Sequence, residues 1–185
     1  MEIDRRELLR YLGYKGQEIN SELEDKISLA ISICKKEAQP IHILRKYTLD
    51  FENRELKGTG LKLKGESIWK HLSGCDDVYM VAATLGFNLE KRINRAFIDD
   101  ATVAVLLDSA ATCLIESYLD EIEKNIPEEL TSRYSCGYGD WDIQQQKEIC
   151  KLLDTQKQIG LFVNDACMLT PQKSVTAIMG IKKWH

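Results

Sequence analysis

The spacing of apolar residues changes several times along this chain, and no other feature of the sequence constrains its fold as strongly. Between Ser21 and Pro40, apolar side chains recur every three or four residues, which is typical of one face of an α-helix. Residues 41–51 alternate between apolar and polar side chains, which indicates a strand covered on one face. Residues 88–125 return to the helical spacing, and a break near Asp99 predicts two helices there.

Shorter segments add further elements. The pair Asp4 and Glu7 predicts the start of an opening helix that ends at Gly13, and Ser21 with Glu24 forms a predicted capping box for the second helix. Successive strands lie too close together for helical crossovers, so they are expected to pair in an antiparallel manner. The remaining predicted elements are a glycine-spaced loop and strand over 56–65, a doubly covered strand over 78–86, a helix over 143–153, and strands over 159–163 and 174–181.

These elements predict an α+β fold in which helices pack around a mostly antiparallel sheet. No internal repeat, low-complexity run or proline-rich linker divides the 185 residues. We therefore expect one domain over residues 1–185, with residues 1–40 as a helical N-terminal region.

Charge and composition limit the kinds of partner. The chain has 25 Lys and Arg against 29 Asp and Glu, a net charge of −4, which argues against a nucleic-acid partner. The longest uncharged run, Val78–Leu89, is shorter than the roughly 18–20 residues that cross a bilayer, so no membrane association is expected. Residues 1–11 are charged rather than apolar, which predicts a cytoplasmic protein without a secretory signal.

Motifs for self-sufficient catalysis do not occur. His42, His71 and His185 are far apart, and no Cys or His stands at ligand spacing, so no metal site is predicted. The sequence also has no nucleophile elbow, P-loop or dinucleotide fingerprint. We therefore predict no catalytic residue and expect a protein that binds or presents a ligand.

The segment Arg133–Trp141 is the most informative part of the chain. Gly137 and Gly139 allow the backbone to run close to a bound molecule. Arg133 carries the planar group that suits a carboxylate, and Tyr138 offers a ring to a heterocycle or a sulfonium cation. These groups suit a small zwitterionic ligand that also carries a positive charge. The alternative interpretation is a rigid aromatic loop that packs on the sheet.

Glu116 lies on a row of small and polar residues in the predicted long helix. Small neighbours allow another element or a ligand to approach closely. Glu116 is therefore either part of a solvated acidic face or a residue that pairs with the positive charge of the ligand.

At Arg133–Trp141 the sequence resembles the activation (reactivation) domain of vitamin B12-dependent methionine synthase. It is most similar to the short, stand-alone members of that family. The resemblance extends over nearly the whole chain. The matching segments are Arg133-Tyr-Ser-Cys-Gly-Tyr-Gly-Asp-Trp141, Gln146, Leu153, Ile159-Gly160, Leu169-Thr-Pro-Gln-Lys-Ser-Val-Thr-Ala-Ile-Met-Gly180, Arg6–Tyr14, Met80–Gly86 and Ile115-Glu116.

The resemblance implies a C-shaped, helix-rich fold around a twisted antiparallel sheet, with S-adenosylmethionine bound in a shallow groove. It implies that Arg133 engages the ligand's carboxylate and that Ser135, Gly137 and Tyr138 line the same site, with Glu116 as the helix glutamate. The implied function is reactivation of cob(II)alamin by reductive methylation, for methionine biosynthesis. Cobalamin would come from a partner methionine synthase or related corrinoid methyltransferase, and one electron from a flavodoxin-type donor.

Two departures from the family pattern keep alternatives open. Cys136 stands where the family often has proline, and residues 1–185 include no cobalamin-binding domain. We therefore expect an activation subunit of a methyltransferase system that is not active alone. The alternative is a module that contacts a corrinoid protein but no longer binds S-adenosylmethionine. A less favoured third interpretation is an independent small-molecule methyltransferase.

Overall fold

The structure, a computed structural model, describes residues 1–183, so His185 lies outside it. Seven helices and seven strands are present in this part of the chain. In chain order they are α1 (Arg5–Tyr11), α2 (Ser21–Glu37), β1 (Ile41–Asp50), β2 (Glu55–Leu56), β3 (Leu61–Lys62), α3 (Glu66–His71), β4 (Cys75–Thr84), α4 (Phe87–Asp99), α5 (Ala101–Lys124), α6 (Gln145–Leu153), α7 (Thr155–Ile159), β5 (Phe162–Val163), β6 (Leu169–Thr170) and β7 (Ser174–Lys182).

These elements form two compact units, and each unit is assembled from two separate stretches of chain. The helical unit contains residues 1–40 and 85–125, and the sheet unit contains residues 41–84 and 126–183. The prediction of an α+β fold with a mostly antiparallel sheet is confirmed.

The helical unit is built around α5, which contacts α1, α2 and α4. The predicted break between α4 and α5 is confirmed, and Asp100 begins α5 by accepting hydrogen bonds from the backbone of Thr102 and Val103. α5 is long and apolar enough to cross a membrane by length and composition alone. Most of its apolar side chains are buried within the unit, as in a core helix of a folded domain, and Val105 is exposed.

Two helix starts show the local chemistry clearly. Asp4 caps α1 as predicted, with its carboxylate 2.7 Å from the backbone nitrogen of Arg6. The predicted capping box at Ser21 is wrong by one residue, because Asn20 is the cap and accepts a hydrogen bond from Leu23 N at 2.9 Å. Asn20 has an extended backbone that aims its amide oxygen along the first turn, whereas Ser21 is already helical.

The sheet unit is organised around β4. The five-stranded antiparallel sheet has the order β3-β2-β1-β4-β7, so β4 lies between β1 and β7 and is buried along most of its length. This confirms the doubly covered strand expected over 78–86. The side chains that pack beside it form one core with α3, α6 and the segment 136–141.

The predicted strand over 159–163 is largely wrong. Its first residue ends α7, and Gly160 reverses the chain with φ +65° before the two-residue strand β5. The buried Thr155 hydroxyl donates to the carbonyl of Leu161 at 2.8 Å and closes this turn. Alternating apolar residues over so short a run therefore reflect a turn between a helix and a hairpin of β5 and β6.

Candidate functional site

The segment 131–141 begins as extended chain attached to β7. Thr131 N donates to Gly180 O at 2.9 Å, and Gly180 N donates to the Thr131 hydroxyl at 2.9 Å. Tyr134 and Ile178 exchange both backbone hydrogen bonds, at 3.0 and 2.9 Å. The sheet therefore fixes the position of the backbone just before the glycines.

Arg133 and Ser135 lie on either side of this fixed position. Side chains alternate between the two faces of an extended chain, so Arg133 and Ser135 share the face opposite the ring of Tyr134. Both are half-buried. The backbone thus presents a guanidinium group and a hydroxyl group on one side and packs an aromatic ring on the other.

The next residues form a tight turn. Gly137 N donates to Trp141 O at 2.8 Å, and Gly137 and Gly139 have φ values of +90° and +57°. A Cβ atom on Gly139 would lie 2.6 Å from Ser67 Oγ and 2.7 Å from the Tyr134 hydroxyl oxygen. At residue 139 the chain therefore needs glycine both for its backbone conformation and for this close approach.

Aromatic side chains make the turn rigid. The ring of Tyr134 stacks on His71 with centroids 4.7 Å apart and on Trp141 with centroids 6.0 Å apart. Trp141 is 1% exposed, and its indole N–H donates to Gln145 at 2.8 Å. Tyr138 is 64% exposed. The rigid aromatic loop expected as the alternative interpretation thus exists, and it leaves Tyr138 accessible to a ligand.

Asp140 connects the turn to the start of α3. Its carboxylate accepts hydrogen bonds from Glu66 N at 2.9 Å, from Ser67 N at 2.8 Å and from the Ser67 hydroxyl. The Ser67 hydroxyl and these two backbone N–H groups lower the pKa of Asp140 to about 2. Asp140 is therefore a structural cap that holds the turn against α3.

A pocket of about 250 Å³, here called the loop pocket, opens beside this turn. All of its lining residues are uncharged, and they come from the turn, α6, the hairpin of β5 and β6, and the start of β7. They are Ser135, Cys136, Ile143, Gln146, Cys167, Met168, Leu169, Ser174, Val175 and Thr176.

Larger cavities lie elsewhere on each unit. A polar cavity of about 570 Å³ borders α6 and shares Ile143 and Cys167 with the loop pocket, and a third cavity of about 400 Å³ follows α6 further along. An apolar groove of about 410 Å³ lies between α1, α2 and α5 of the helical unit. The loop pocket is smaller, but Ser135 from the predicted motif lines it.

Comparison with known proteins gives one informative result. No family model and no curated protein sequence matches this chain. Among solved structures, it is similar to the MetH reactivation domain bound to AdoHcy, with a TM-score of 0.63 and 14% sequence identity. The match covers 95% of this chain and 70% of that chain.

The chain has the fold of the MetH reactivation domain.

Within this reactivation-domain fold, four of the five predicted site residues lie together. Arg133, Ser135, Gly137 and Tyr138 belong to the segment fixed on β7, and Ser135 lines the loop pocket. Glu116 is half-buried in α5 of the helical unit. That these five residues bind a ligand stays a prediction.

Cys136 brings a thiol to the loop pocket, but burial keeps the thiol protonated. It is 7% exposed, and desolvation raises the pKa of Cys136 to about 12. A thiol with this pKa is not a nucleophile at neutral pH. Residues 1–183 also hold no cluster of His, Cys, Asp and Glu that fits a metal ion.

Gln146 and residues 169–180 resemble the family in sequence, but none of these residues was assigned to a binding site from the sequence. Gln146 and Thr176 are buried and joined by a hydrogen bond of 2.7 Å, and Ser174 reaches the pocket from the start of β7. The Ser174 hydroxyl donates to Thr84 Oγ1 at 2.8 Å and to the carbonyl of Pro171 at 2.6 Å. Gln146 occupies a position where α6 faces the core, and a buried polar side chain needs a hydrogen-bond partner. This position was the signal in the sequence for a polar group in the pocket wall.

Proposed function

We propose that this chain is an S-adenosylmethionine-binding activation subunit and that the ligand occupies the loop pocket and the adjoining face of the turn. The observation that carries the proposal is the common face of Arg133 and Ser135 beside the uncharged loop pocket. The fold adds support, because the similar MetH reactivation domain was solved with AdoHcy bound.

The proposed contacts follow from the charges of the ligand. The guanidinium group of Arg133 pairs with the ligand's carboxylate, and the exposed ring of Tyr138 packs against the sulfonium group. Ser135 and the backbone of Gly137 complete this part of the site.

The proposed role is reductive reactivation of cobalamin that belongs to a partner methionine synthase or related corrinoid methyltransferase in the cytoplasm. The partner's cob(II)alamin would accept one electron from a flavodoxin-type donor and the methyl group of the sulfonium, whose S–CH3 bond breaks to leave S-adenosylhomocysteine. The chain's own residues hold and orient the methyl donor, which explains a site without an acid–base pair. The isolated chain is expected to be inactive.

Isothermal titration with S-adenosylmethionine tests the proposal. Wild type is expected to bind saturably, and Arg133→Ala is expected to lose about 2–3 kcal/mol of binding free energy because the carboxylate is left unpaired. Arg133→Lys should recover only part of this loss, since lysine keeps the charge without the planar fork. Tyr138→Ala should weaken binding less than Arg133→Ala.

The matched control is Lys157→Ala, which removes an exposed cation from α7 of the same unit outside the loop pocket. It should bind like wild type, so that a loss in Arg133→Ala reflects the position of the charge. Unchanged binding in Arg133→Ala would contradict the site. Folded wild type that gives no heat, yet retains a corrinoid protein in a pull-down, would favour the interaction module.

A further inference from the structure

The loop pocket contains one amide side chain, that of Gln146, and it is hydrogen-bonded to β7. Gln146 and Thr176 are 4% and 3% exposed, and Gln146 Nε2 donates to Thr176 Oγ1 at 2.7 Å. Within residues 1–183, the side chain of Gln146 makes no other hydrogen bond. Among these residues, Glu90 Oε2 is the only fully enclosed side-chain oxygen or nitrogen atom that lacks a hydrogen-bond partner, so Gln146 Oε1 is not fully enclosed. Gln146 Oε1 is therefore an acceptor that remains open to the pocket.

The pocket suits an uncharged part of a ligand. A volume of about 250 Å³ is below the roughly 300–1,000 Å³ of sites that enclose a complete drug-sized molecule. The amino-acid end of S-adenosylmethionine carries two charges, and burying them against an uncharged wall would be costly. The adenine base is flat and uncharged, and apolar groups of Ile143, Leu169 and Val175 are available to its faces.

We propose that the loop pocket receives the adenine base and that Gln146, oriented by Thr176, accepts a hydrogen bond from the 6-amino group of adenine. This inference rests on the proposed function, which supplies the ligand. Adenine carries a donor at this position and hypoxanthine carries an acceptor, so the outward Oε1 atom favours the first and repels the second. Gln146 is thus a specificity-determining residue, and Thr176 is a positioning residue.

The experiment compares two ligands by titration calorimetry, S-adenosylhomocysteine and its 6-oxo analogue S-inosylhomocysteine. Wild type is expected to prefer the adenosyl ligand by about tenfold or more. Gln146→Leu removes the acceptor and should abolish the preference. Thr176→Val frees the amide to turn its N–H group toward the pocket, so it should reduce the preference chiefly by improving inosyl binding.

Gln158→Leu is the matched control, because it makes the same amide-to-apolar change at an exposed position of α7 that does not line the loop pocket. It should keep the wild-type preference, and circular dichroism establishes that each variant is folded. Equal binding of both ligands by wild type, or a preference retained in Gln146→Leu and Thr176→Val, would overturn the inference and leave the proposed function intact. Binding of neither ligand would overturn the proposed function itself.

Discussion

At the scale of single residues, Asp140 shows how one carboxylate holds the candidate site in place. It accepts three hydrogen bonds from Glu66 and Ser67 at the start of α3, and no local sequence pattern relates residue 140 to residues 66 and 67. The sequence identified Asp140 as one polar member of an irregular segment. Its use as a cap depends on a tertiary contact, which local spacing does not contain.

The lowered pKa of Asp140 predicts a specific pH dependence of stability. With a folded pKa of about 2 against an ordinary value of about 3.9, Asp140 stabilises the fold above about pH 4 and loses this contribution as the pH falls toward 2. Asp140→Asn should therefore be less stable than wild type at pH 7. The difference between their urea midpoints should narrow between pH 4 and pH 2.

Two other carboxylates complete this test. Glu66 also has a lowered pKa, chiefly through its hydrogen bond with Arg54, so the wild-type profile alone combines both carboxylates. Asp165→Asn removes an exposed carboxylate from the hairpin and serves as the matched control. A wild-type minus Asp140→Asn difference that stays constant from pH 7 to pH 2 would refute the assigned role.

At the scale of elements, the sequence predicted long, strongly periodic segments well. The structure has α4, α5 and β4 where the sequence predicted them, because their apolar residues extend over many positions and face the core of their own unit. The short segment over 159–163 was mistaken for a strand because a few alternating residues fit a turn equally well. The motif around Arg133 lies within one short segment and could be found from the sequence, whereas the pocket that it forms with β7 required the folded sheet.

The start of α2 gives a prediction at this scale. Asn20→Ala should lower the free energy of unfolding by about 1 kcal/mol, because the Leu23 N–H loses its acceptor at the helix end. Ser21→Ala is the matched control, and it should change stability much less because Ser21 is the first helical residue. Chemical denaturation of both variants measures the difference. A larger loss in Ser21→Ala would restore the capping box that the sequence first indicated.

At the scale of the whole molecule, the candidate site is assembled from residues that lie far apart in the sequence. The loop pocket draws its wall from residues 135–136, from α6 and from the chain beyond residue 166, all within the sheet unit. The bridge between Tyr134 and Ile178 holds residues 135–136 beside β7. β7 also pairs with β4, with Thr84 opposite Ser174 at one end of the sheet and Cys75 opposite Lys182 at the other. Cysteines near the two ends therefore report separately on the pocket and on the sheet.

This arrangement predicts a pattern of thiol protection by the ligand. Cys136 and Cys167 line the loop pocket, Cys75 lies at the far end of β4, and all three are buried, so alkylation proceeds through local opening. S-adenosylmethionine at about 100 times its Kd should slow labelling of Cys136 and Cys167 up to about 100-fold, because the open state does not bind it. Cys75 should keep its rate, as measured by peptide mass spectrometry after timed iodoacetamide treatment. Equal slowing at all three sites would indicate that the ligand stabilises the unit without occupying the pocket, and unchanged rates at Cys136 and Cys167 would place the ligand elsewhere.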